Sequence, residues 1–197
     1  MTTYELARLG SDGDLSYTVG MSKRTLPALA SYVDEAIYGA NDGIVTTFAV
    51  VSGAAGASLS GETVIILGLA NLVADGFSMG ASSFLAIRTE EAVQSRRRFW
   101  HRHHENYARS RSFVTFVAFV VAGAVPLLPF LTQFAVGHEF VVSAIGAAVT
   151  FFIVGGLRTC VTRRGFFTAG LEMLTIGGIA AALAYLVGFG VHAIVLG

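Results

Sequence analysis

YGANDGIVTTFAVVSG, residues 38–53, places Asn41 and Asp42 directly against an apolar run. Whether that run crosses a membrane, and whether Asp42 belongs to the crossing, decides the fold. A hydrocarbon core of about 30 Å needs roughly 20 helical residues. The run ends near Ser58, and counting from Ile44 gives only fifteen residues to that end. A helix that spans here must reach back through Asp42 and Asn41 towards Glu35. The Asp42 carboxylate then lies in the membrane or at its edge, where an ionisable group is costly and reads by default as functional. A cap at the headgroup boundary is its competing reading.

Composition supports the membrane setting. The 197 residues are 54% hydrophobic and only 13% charged, with a mean hydropathy of +0.66. A soluble domain carries about 25% charged residues. Apolar stretches at about 33–58, 63–87, 112–136, 140–157 and 166–196 predict five transmembrane helices in residues 32–197. Pro126 and Pro129 should kink or shorten the third. A polar tail, residues 1–31, precedes them and holds no cleavable signal segment. Cys160 is the only cysteine, which excludes an intrachain disulfide and any CxxC site.

The charges are segregated. All 13 Lys and Arg fall in the tail, in the basic loop 88–111 or in the turn from Arg158 to Arg164. That pattern places the N-terminus in the cytoplasm and the C-terminus outside. Within the loop, Arg96, Arg97, Arg98, Arg102, Arg109 and Arg111 set topology and meet anionic lipid. His101, His104 and Glu105, with His103 beside them, form a candidate loop metal site, although the arginines repel a cation. Trp100 and Tyr107 fit interfacial anchors. Nucleic acid is a poor partner for a basic patch held at a membrane.

Three carboxylates lie within the predicted spans: Asp42, Asp75 and Glu172. No Lys or Arg shares their depth, so each must be protonated, be solvated by a cavity or hold a cation. In GLANLVADGFSMGASS, residues 68–83, Asn71, Asp75 and Met79 recur at i, i+4 and i+8 and form one stripe. An amide oxygen, a carboxylate and a thioether suit a divalent transition metal. Met79 reads equally well as a core methionine. Asp75 and Asn71 have an alternative as interhelical hydrogen-bonding groups, and Glu172 as a residue just inside the cytoplasmic interface. The many glycines permit close helix approach; a sharper reading has Gly39 and Gly43 loosening the helix around Asp42.

Two blocks, YGANDGIVTTFAVVSGAAGAS (38–58) and LGLANLVADGFSMGASSFLAIRTEEA (67–92), resemble the vacuolar iron transporter (VIT) family, including its short bacterial members. GLEMLTIGGIAAALAYLVG (170–188) adds weaker support. The resemblance implies a five-helix all-α fold, a homodimer with its pathway at the subunit interface, and proton-coupled export of Fe²⁺, with Mn²⁺ often accepted. It implies no permanent cofactor, only the transported metal. It implies a bacterial inner membrane or a vacuolar-type membrane as location. Asp42 resembles the family's helix 1 carboxylate and Met79 its helix 2 methionine, both in the transmembrane ion site. Glu35 resembles the acidic residue at the cytoplasmic mouth. Asn71 falls where iron-selective plant members carry a glutamate, and Asp75 offers a carboxylate one turn on. Full-length members insert a glutamate-rich metal-binding domain between helices 2 and 3; here about two dozen residues connect them, so that module is missing or reduced to a stub.

Competing functions are a passive divalent-cation channel and a non-transporting scaffold. An enzyme is not expected: an intramembrane hydrolase needs a nucleophile beside a base, and Ser52 has only His192, at the far end of the last span, as a candidate.

Overall fold

The structure, a computed structural model, describes residues 25–95, 105–132, 137–159 and 165–195, and all regular elements among them are helical. The principal elements are α1 (Thr25–Gly56), α2 (Gly61–Ser95), α3 (Glu105–Ala124), a 3₁₀ turn (Val125–Leu127), α4 (Leu128–Thr132), α5 (Glu139–Leu157) and α6 (Phe166–Val195). Residues 1–24 of the tail lie outside the described residues. Helix continues well into the basic stretch from both sides, since α2 runs to Ser95 and α3 starts at Glu105.

Among the described residues four segments are long and apolar enough to cross a membrane: Gly61–Glu90, Ala108–Thr132, Glu139–Leu157 and Phe166–Val195. The chain is thus an all-α membrane protein by this measure. Helix α1 has the length, with 32 residues, but is not one of the four. Its apolar part begins only at Ile44, and Asn41 and Asp42 occupy the stretch that would complete a span.

Helix α1 is continuous through Gly39 and Gly43, so these glycines do not loosen it. They do the plainer job. A Cβ at Gly39 would run into the Thr115 carbonyl and one at Gly43 into the Phe119 carbonyl. Backbone contact without side chains between them is what small residues provide in membrane helix pairs. The paired positions rise together in steps of four, so α1 and α3 run parallel. Helix α2 runs the other way along α3, with Leu127 over Gly68 and Phe116 over Gly80. Helices α5 and α6 are antiparallel too, with Phe166 at Gly156 and Phe151 at Gly177.

The core gathers on the second half of α1. Ile44 and Val51 are fully buried. The Phe48 ring lies between Phe140, stacked at 6.4 Å, and Phe151, edge-on at 6.3 Å. The helix then stops in a Schellman arrangement. The Leu59 N–H donates to the Ala54 carbonyl and the Ser58 N–H to that of Ala55, while Ser58 takes a left-handed φ of 56°. Pro126 and Pro129 remove two N–H donors and tighten the backbone into the 3₁₀ turn between α3 and α4. From α5 the buried Ser143 hydroxyl donates to the Pro126 carbonyl at 2.7 Å, which satisfies an acceptor in that interrupted turn.

Candidate functional site

The first half of α1, the middle and later part of α2 and the start of α3 enclose an open cleft of about 810 Å³. Five carboxylates line it, Asp34, Glu35, Asp42, Asp75 and Glu90, together with one basic residue, Arg111. Met79 lines it as well, and the same side chain packs against the hydrophobic core. Met79 thus touches both the core and the cleft.

Helical spacing explains the gathering. Glu35 and Asp42 are two turns apart on α1, and Asp75 and Met79 one turn apart on α2, so each pair shares a face. The close approach of α1 to α3 at Gly39 brings the preceding turn, with Glu35, to the turn that carries Arg111 and Thr115.

These carboxylates are not equivalent. Glu35 is fully engaged: Arg111 Nη2 donates to Oε1 at 2.6 Å, and Thr115 and Ser83 hydroxyls donate to Oε2 at 2.7 and 3.2 Å. Asp42 and Asp75 are half-buried, face the same cleft, and have no hydrogen-bond donor or basic partner among the described residues. On Asp42 only the backbone carbonyl is engaged, by the Thr46 hydroxyl at 2.8 Å. Two open carboxylates beside a thioether attract a divalent cation or a proton, since like charges facing one cleft favour sharing a positive charge.

Other expected positions fall elsewhere. Asn71 is half-buried on α2 beyond the cleft, and Glu172 is exposed on α6; neither lines it. His101, His103 and His104 lie outside the described residues, as does the side chain of Glu105. Among the described residues no group of three or more His, Cys, Asp or Glu is placed to hold a metal ion. Ser52 and His192 do not meet: the buried Ser52 hydroxyl and His192 Nδ1 each lack a hydrogen-bond partner among the described residues.

Sequence reasoning missed Arg111 as a cleft residue, having read it only as a topology charge. A signal existed. Arg111 and Thr115 stand at i and i+4 where the third apolar stretch begins, the depth on α3 that matches Glu35 on α1.

Comparison with known proteins identifies relatives of the chain. The chain is 27% identical over 193 residues to vacuolar iron transporter homolog 3 of Arabidopsis thaliana, covering 94% of this chain and 93% of that protein. It is 24% identical over 208 residues to vacuolar iron transporter 1 of Eucalyptus grandis, covering 78% and 84%. Identity to the vacuolar iron transporter of Toxoplasma gondii reaches 44%, but over 62 residues, 32% of this chain and only 20% of that protein. The match to the Plasmodium falciparum protein likewise spans only 18% of its length. A sequence profile of the VIT family matches residues 33–109 and 98–189, which is most of the molecule, and the chain therefore belongs to the VIT family.

Proposed function

We propose that this chain is a secondary transporter that moves Fe²⁺, and also Mn²⁺, out of the cytoplasm in exchange for protons. The observation that carries this reading is the pair of carboxylates, Asp42 and Asp75, without a partner among the described residues and beside Met79 in one cleft. Carboxylate oxygens alone suit Mg²⁺ or Ca²⁺, and the thioether adds preference for a transition metal. Deprotonated carboxylates bind metal and protonated ones do not, so the same groups couple the two ions. The relatives named vacuolar iron transporter support the choice of cargo.

In this reading α1 is a fifth span, solvated at Asp42 by the cleft, with the N-terminus cytoplasmic. Support comes from helix direction. The parallel run of α1 and α3 and the antiparallel run of α2 put the start of α1, the end of α2 and the start of α3 on one side. That side carries Arg88, Arg109 and Arg111. The pathway lies between two copies of the chain. At the depth of Met79 one chain offers the half-buried Asp42 and Asp75 carboxylates and a thioether, fewer ligands than a transition metal usually takes, and a facing copy doubles the set. Glu172, near the cytoplasmic start of α6, and Asn71, outward of Asp75 on α2, are assigned to the approach and the exit of the ion respectively, outside the cleft.

Proteoliposomes holding the full chain test this. Mn²⁺ uptake should rise when an outward-directed proton gradient is imposed, collapse with a proton ionophore, and resist excess Mg²⁺. Uptake indifferent to the gradient means a passive channel; no uptake of either metal under any gradient means a scaffold.

A further inference from the structure

Of the carboxylates that line the cleft, Glu35 is already engaged by other residues of the chain itself. Arg111 bonds one Glu35 oxygen, and Thr115 and Ser83 bond the other, so that α1, α2 and α3 each contribute to a single closed cluster. Both charged side chains are largely sheltered, with 21% of Arg111 and 15% of Glu35 exposed. A short charge-assisted bond in such a setting is stronger than a surface pair and holds both partners in place. Arg111 is also the one basic residue lining the cleft among the described residues.

We propose that Arg111 sets the charge of the cleft: by pairing with Glu35 it cancels one of five carboxylates and withholds Glu35 from the incoming cation. Glu35 is then a positioning residue, and the metal meets Asp42, Asp75 and Met79. This rests on the transport reading above. The physical consequence has a sign. Taking away Arg111 releases a carboxylate into the cleft and strengthens divalent binding. Taking away Glu35 removes the negative charge that offsets Arg111 at the cleft and weakens divalent binding. Taking away both restores the original net charge.

The test is Mn²⁺ binding to the purified full chain in detergent, read from the loss of the free-ion electron paramagnetic resonance signal. Arg111→Gln should lower Kd about fivefold and Glu35→Gln raise it by a similar factor, the size of effect one unit charge has at a partly solvated site. The double variant should return to within about twofold of wild type. A double variant as weak as Glu35→Gln makes Glu35 a metal ligand and overturns the proposal. So do two single variants that shift Kd in the same direction. Where Arg111→Gln does not fold, Ser83→Ala with Thr115→Val removes the hydroxyl donors and keeps both charges; an unchanged Kd is expected, and a large loss overturns the charge-setting role. A wild type that binds Mn²⁺ without transporting it breaks only the transport reading, and one that binds none breaks both.

Discussion

The two halves of α1 treat polar groups in opposite ways. Before Gly43, Glu35 and Asp42 line an open cleft and their carboxylates are met by donors or left free for a cation. After it, Ile44, Phe48, Val51 and Ala54 are buried in the core. Yet that second half also buries two hydroxyls, Thr47 and Ser52, that have no hydrogen-bond partner among the described residues. Position explains the contrast. An ionisable group persists where the cleft solvates it, and the cleft holds its shape because the adjoining half of the same helix is fixed by packing.

Asp42→Asn breaks the first half with the largest expected effect. The amide keeps the volume and the Thr46-to-backbone bond but removes a charge and a proton site. Metal uptake in proteoliposomes should fall on the order of a hundredfold, the upper end of the loss caused by removing even an outer partner of a metal ligand. The fold should survive, checked by an unchanged elution profile and thermal midpoint. Unchanged uptake would move the ion pathway away from α1.

Gly43→Val tests the boundary between the halves. Its Cβ would collide with the Phe119 carbonyl, and backbone cannot yield as a side-chain tip can. Forced separation of α1 and α3 should cost about 3 kcal/mol, the upper range for overpacking, seen as an earlier thermal transition in detergent. A variant that keeps its stability but loses transport would restore the other reading of this glycine, as a residue that loosens the helix around Asp42.

Much of this division was legible in the residues. Counting back from Ser58 already required α1 to include Asp42, and the i, i+4 spacing already joined Asp75 to Met79. Periodicity speaks only within a helix, however. The partner of Glu35 lies 76 residues away, and no spacing rule links the two. The same limit applies to Asn71: it shares a stripe with Asp75, but the cleft ends before its turn. Gly39 and Gly43 were ambiguous for a related reason, because a glycine that permits close packing and one that loosens a helix look alike until the neighbouring backbone is known.

Thr47→Val has the smallest expected effect and sharpens the comparison most. The Thr47 side chain is fully buried, and its hydroxyl lies 2.9 Å from where a Cβ on Gly123 would stand. A buried hydroxyl without a partner costs about 1–3 kcal/mol, and valine has the same shape with a methyl in its place. If the second half of α1 serves only as support, the change should be neutral or raise stability by about 1 kcal/mol, with uptake unaltered. A large loss of transport at full stability would mean that the hydroxyl, one turn and a residue beyond Asp42, takes part in passing a proton or a water. The polar path would then extend into the half of the helix that packing alone now explains.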